Sequence, residues 1–279
     1  MERDTIIFSG ASHTFGLGLE WELDPELNSE EYLNKGVTLP AHLNKIDYYQ
    51  QYWRKYRWPT LVSNELGYIQ HNVLDKEHDT KIGGNAVETI WMMVRDEDKI
   101  EALLAKTKYV ILEMGYIRWY DENLHGAKDG DKYPNTIQEM IDLINNPKSD
   151  ITIVSKTLQW ILEVDLCVYM NELYKKIFYL KEKYKEIHFL ILPWHFNPDI
   201  IPDEFGLKKN IIPIIENDKK YQSVHDFQTK QKIQIWNKAK AFNGNYQYNY
   251  KEDHGSIEGH RRVANIVIEH IKKLQNEKE

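Results

Sequence analysis

Apolar runs recur along the chain at residues 5–8, 69–74, 109–113, 187–192 and 210–215, each short enough to be a buried strand. Between most of them the apolar positions return at helical spacing. Residues 58–67 open with Trp58-Pro59 and close on Gly67, with Pro in the first turn and Gly just past the end of a helix. Helical patterns also cover residues 85–106 and 135–145. A longer one runs from 151 to about 184, with Leu158, Ile161, Leu162, Val168, Leu173 and Ile177 on its apolar side. Ser256 is placed to cap a last helix that begins at Ile257. Strands alternating with helices predict an α/β domain with a mostly parallel, five-stranded sheet between two helical layers.

Two stretches break this regularity, residues 24–57 and 120–134, and each is attached to the carboxyl end of a predicted strand. Open α/β sheets bind ligands outside those ends, so both are expected to be insertions around a site in a single domain spanning residues 1–279. Tyr48, Tyr49, Tyr52, Trp53, Tyr56 and Trp58 fall at roughly helical intervals at the end of the first. Their spacing fits a helix packing on the body of the domain, and equally a wall or lid over a ligand. Aromatic faces suit sugar rings or acyl chains, because they offer large apolar area with little entropy to lose.

Hydroxyl chemistry is suggested at the two ends of the chain. The first strand runs into Gly10-Ala11-Ser12, which puts a serine hydroxyl at the mouth of the ligand crevice. Near the other end, His254 precedes Ser256 and the last helix. An unaided serine is a weak nucleophile at neutral pH, and a histidine is the usual base that activates it. The stretch does not fit the Gly-x-Ser-x-Gly elbow of α/β-hydrolases, since Thr14 stands where the second glycine would be.

The segment Gly10-Ala11-Ser12-His13-Thr14-Phe15-Gly16-Leu17-Gly18-Leu19 resembles block I of the SGNH (GDSL-type) hydrolases, and His254 with Ser256-Ile257-Glu258-Gly259-His260 resembles their block V. Gly83-Gly84-Asn85, after the second strand, stands where the family has its block II glycine. The resemblance implies a flavodoxin-like three-layer sandwich and a metal-independent serine esterase or acyl hydrolase with no cofactor. Ser12 would be the nucleophile and His254 the general base. The backbone N–H groups of Ser12 and Gly84 would receive the oxyanion, with Asn85 donating its amide or capping the helix that follows.

Two departures bear on mechanism. The family's acid stands three residues before the histidine, where this chain has Lys251; Glu252 and Asp253 fall two and one before. Either carboxylate, or a backbone carbonyl, could orient His254. Block III, usually Gly-x-Asn-Asp, is replaced by Met114-Gly115-Tyr116-Ile117-Arg118, so Arg118 is the stand-in donor for the oxyanion. His13, beside the nucleophile, and His195, at the end of the fourth strand, are expected to line the pocket, and His260 to pack behind His254. These departures leave a second reading open, a degenerate domain of this type that binds a glycan or protein without turnover. A nucleotide-binding module is a third, but it leaves His254 without a purpose.

Composition narrows the partners. Net charge is −7 and the basic residues are scattered, which gives a nucleic acid no electrostatic footing. The lone Cys167 cannot form an intramolecular disulfide, lies in an apolar stretch that suggests a buried thiol, and points to an intracellular setting. No leader pattern opens the chain and the apolar run after Asp4 is too short to span a bilayer, so a cytoplasmic protein without membrane contact is expected. The histidines, including the isolated His71, His78 and His125, show no zinc-type spacing. A small-molecule or carbohydrate ester is the expected substrate.

Overall fold

The computed structural model describes residues 3–10, 12–16, 19, 54–73, 75, 86–114, 136–151, 153–154, 157–158, 161, 165–200, 202–234 and 254–277. Four strands, β1 (Thr5–Ser9), β2 (Ile69–Asn72), β3 (Thr107–Met114) and β4 (His188–Pro193), form one parallel sheet in the order β2-β1-β3-β4. Because β1, β3 and β4 are covered on both faces, they read as unbroken apolar runs rather than alternating ones.

Side chains of these strands divide by parity between two cores. Ile6, Phe8, Tyr109, Ile111, Leu190 and Leu192 pack with α2 (Trp58–Leu66), α7 (Val224–Gln231) and α8 (Ile257–Asn276). Ile7, Val110, Leu112, Phe189 and Ile191 pack with α3 (Ala86–Arg95), α4 (Glu97–Lys106), α5 (Ile137–Asn145) and α6 (Leu166–Lys183). The arrangement is that of helices on both sides of a parallel sheet. A four-residue helix, α1 (Ser12–Phe15), follows β1 directly.

Helix boundaries follow local chemistry more finely than the apolar period does. α2 ends on Gly67 in the left-handed region (φ 72°), as the Pro-to-Gly pattern predicts. The helix expected over 85–106 is two, parted at Asp96, whose carboxylate binds Arg95 and Lys99. The long helix expected from 151 is also broken. Asp165 is extended (φ −150°) and its side chain accepts the N–H groups of Cys167 and Val168, so α6 starts afresh at Leu166. Apolar residues keep helical spacing on both sides of Asp165, which is why periodicity alone passes over the break. Cys167, in the first turn of α6, is partly exposed rather than buried.

The fifth apolar run makes only a single parallel bridge, Ile211 to Ile191, with the Ile212 N–H donating to the Ile191 carbonyl at 2.8 Å. After this one bridge the run leaves β4. The chain then forms β5 (Ile214–Glu216), which pairs antiparallel with β6 (Lys219–Tyr221). The two residues between them, Asn217 and Asp218, have φ of 48° and 61°, the geometry of a tight two-residue hairpin turn. No described helix is long and apolar enough to cross a membrane.

A buried ion pair ties the start of α2 to the segment after β2. Arg57 donates to both carboxylate oxygens of Asp75, at 2.8 and 2.5 Å, and the two side chains are 2% and 5% exposed. Its Nε also donates to Thr60 Oγ1 at 3.1 Å. Breaking such a pair leaves one charge without compensation in a low dielectric. Arg57→Leu should therefore cost about 3–5 kcal/mol in urea unfolding. Adding Asp75→Leu should return part of that loss, and a double variant less stable than the single one would contradict this account.

Candidate active site

The turn after β1 carries the proposed nucleophile. Ser12 is the first residue of α1, and its side chain lies outside the described ones. A helix of one turn has too few hydrogen bonds to hold its own direction, so its orientation must come from its surroundings. Residues at the carboxyl ends of all the other sheet strands supply it. Asn72, last in β2, donates its side-chain amide to the Thr14 carbonyl at 3.3 Å. Glu113, near the end of β3, accepts a hydrogen bond from the Thr14 hydroxyl. Trp194, just past β4, stacks its ring on His13 with centroids 4.6 Å apart and planes 23° apart. Asn72, Thr14, Glu113, His13 and Trp194 are all buried.

Gly10 makes this grip possible. A β-carbon there would overlap both the Thr14 hydroxyl and the Glu113 side chain, so no larger residue fits between the strand end and the turn. Ser9, one residue earlier, shares a hydrogen bond with Thr89 of α3 at 2.5 Å. Gly16 closes the turn with φ of 89°.

The histidine near the other end of the chain comes to the same place. His254 lies with its ring centroid 4.6 Å from that of His13, which is the residue after Ser12. His195 stands 5.3 Å from His13 by the same measure, and His225, at the start of α7, 5.1 Å from His195. The backbone beneath them is held by the Trp194 carbonyl, which accepts the His225 N–H at 2.8 Å, and by a bridge between Gly255 and Gln234. Ser256 caps α8 as expected, accepting the Gly259 N–H at 3.0 Å and donating to the Ile233 carbonyl at 2.6 Å. His260, in the first turn of α8, is buried and accepts the Trp58 N–H on Nδ1 at 3.2 Å, so its proton resides on Nε2.

Burial keeps these rings neutral. Desolvation lowers the pKa of His254 to about 4, even though part of its surface reaches solvent. Desolvation with the neighbouring His225 and His254 brings His195 to about 3. His260 falls to about 3 through desolvation, His254 and Arg57. His13 is pushed well below its ordinary value, first by desolvation and then by the histidines around it. A neutral imidazole can accept a proton, so His254 is in the protonation state a general base needs at neutral pH.

Of the site residues expected from sequence, the structure brings together His13, His195 and His254, and seats His260 behind them. Glu252, Asp253, Gly84, Asn85 and Arg118 lie outside the described residues. Among described residues the sequence reading passed over Thr14, Asn72, Glu113, His225, and the Arg57–Asp75 pair. Glu113 carried a signal, a lone carboxylate inside the buried run Tyr109-Val110-Ile111-Leu112 to Met114. His225 carried none, because its neighbours become neighbours only in the fold. Among the described residues no three His, Cys, Asp or Glu side chains gather as a metal site.

Acid should unfold this protein through its histidines. In the unfolded chain each takes up a proton near its ordinary pKa of 6.5, whereas in the fold His254 does so only near 4. The stability they contribute is complete above pH 6.5 and is lost as pH falls toward 4, by up to about 1.4 kcal/mol per histidine per pH unit. Thermal melts at pH 7.5, 6 and 5 should show a falling Tm, and a flat Tm over that range would contradict the neutral cluster.

Comparison with protein-family models, curated proteins and solved structures gives no significant match, so what this site does must be read from its own residues.

Proposed function

We propose that the chain is a serine esterase or acyl hydrolase of the SGNH type, acting on a small-molecule or carbohydrate ester, with an O-acetyl group on a sugar as the first substrate guess. The observation that carries this reading is the meeting of the chain's two ends, with the ring of His254 4.6 Å from that of the residue following Ser12. The strand order supports it too. The direction of winding reverses between β1 and β3, and the ligand crevice of an open α/β sheet lies at that reversal, where Ser12 follows β1. The order matches the first four positions of a flavodoxin-like sheet, with the stretch bridged through Ile211 as its reduced fifth strand.

In this mechanism His254 takes the Ser12 proton as the hydroxyl oxygen attacks the ester carbonyl. The tetrahedral oxyanion is received by the backbone N–H groups of Ser12 and Gly84 and by Arg118. The imidazolium then gives its proton to the leaving alcohol, and acyl-Ser12 remains. Water, deprotonated by His254, attacks the acyl-enzyme; the acid leaves and the Ser12 hydroxyl is restored. Met114-Gly115-Tyr116-Ile117-Arg118 in place of the family's third block is the feature that favours the competing reading, a binding domain without turnover.

A fluorophosphonate probe should label wild-type protein at Ser12 and leave Ser12→Ala untouched. On p-nitrophenyl acetate, Ser12→Ala and His254→Ala should each lose on the order of 10³-fold or more in kcat, with losses that do not add in the double variant. Equal turnover by wild type and Ser12→Ala would overturn the hydrolase reading.

The acid is decided by two further variants. If a carboxylate orients His254, either Glu252→Gln or Asp253→Asn lowers kcat strongly with little change in KM, because the imidazolium forms only in the transition state. If a backbone carbonyl serves, both variants stay near wild type and the enzyme is a Ser-His dyad.

A further inference from the structure

His13 is the ring that touches both Trp194 and His254. Its centroid lies 4.6 Å from each, with interplanar angles of 23° and 33°. It is 2% exposed, and neither of its ring nitrogens has a hydrogen-bond partner among the described residues. A neutral imidazole carries one donor and one acceptor, and burying both without partners is unfavourable. The contacts that the described residues give His13 are those of its flat face, on Trp194 and on His254.

A base histidine works only when its ring is held so that one nitrogen faces the serine hydroxyl. Two constraints can do this: a hydrogen bond to the other nitrogen, or a packed wall against the ring. Trp194, fully buried and fixed by its backbone N–H donating to the Met114 carbonyl at 3.0 Å, gives a rigid floor at the end of β4. His13 lies on that floor and presents a ring to His254. Since His13 directly follows Ser12, the same residue links the direction of the nucleophile's turn to the plane of the base.

We propose that His13 is a positioning residue, which sets the plane of His254 and shields it from water through ring contact on the Trp194 floor; this rests on the reading of Ser12 and His254 as the catalytic pair. His195 makes a further ring contact on His13, and His260 is buried behind.

The test uses three variants. His13→Phe keeps the flat face and removes the unpartnered nitrogens. It should keep kcat within about threefold of wild type on p-nitrophenyl acetate and melt at the same temperature or higher. His13→Ala opens the contact, and kcat should fall on the order of 10²-fold with KM nearly unchanged, as expected for a misplaced catalytic group. Water reaching His254 should also move its pKa from about 4 back toward 6.5, read by NMR titration of its imidazole and by the acid limb of kcat/KM. If His13→Ala does not fold, His13→Leu retains apolar volume without a flat face and should show the same loss of kcat with Tm preserved.

A His13→Phe variant as inactive as His13→Ala would mean that the nitrogens of His13 matter, and would overturn the positioning role. So would a His254 titration unchanged in folded His13→Ala protein, or a kcat of His13→Leu equal to that of wild type, while Ser12 still labels with fluorophosphonate. Wild-type protein that does not label at Ser12 would instead overturn the hydrolase reading, and the positioning role with it.

Discussion

β1 lies inside the sheet, paired with β2 on one side and β3 on the other, and gives Ile6 and Phe8 to one core and Ile7 to the other. A strand constrained in four directions cannot slide or rotate without disturbing both cores, since a one-residue slip would exchange its faces. The chain leaving it at Gly10 therefore starts from a fixed point. The short α1 inherits that fixity through Asn72, Glu113 and Trp194, each at the carboxyl end of another strand. Parallel pairing is what brings these ends level, so the sheet itself builds the grip on the turn that bears Ser12.

The same region is electrically quiet despite its many ionisable groups. His13, His195, His254 and His260 are all kept from protonation by burial. Arg57, a cation buried beside them, is matched oxygen for nitrogen by Asp75. Charge appearing in such a setting during a reaction would be felt strongly, because little water is present to screen it. Histidines held neutral in this way suit the proposed reaction, in which an imidazolium exists only transiently, and they tie the stability of the fold to pH.

Much of the scaffold was legible along the chain because it depends on local rules. The first four strand runs, the Pro59-to-Gly67 helix and the Ser256 cap recur in the structure close to their expected places. Each is determined by residues within a turn or two: a fixed φ, a missing β-carbon, a hydroxyl beside a free N–H. The failures were of the same kind. The helices part at Asp96 and Asp165 although the apolar spacing continues across both, and the fifth apolar run leaves β4 after one bridge although its hydrophobicity continues.

The sequence by itself thus determined where strands and helices can form, and offered Ser12, His13, His195 and His254 as chemistry without a geometry. Only the tertiary structure decided that His13 would rest on Trp194 and meet His254, that Glu113 and Asn72 would hold Thr14, and that Arg57 would find Asp75. The reason is physical. Caps and turns are short-range events whose partners lie a few residues away, whereas a buried polar contact depends on which strands become neighbours and on the direction each side chain takes from its pleat, and both are settled only when the two cores close around the sheet.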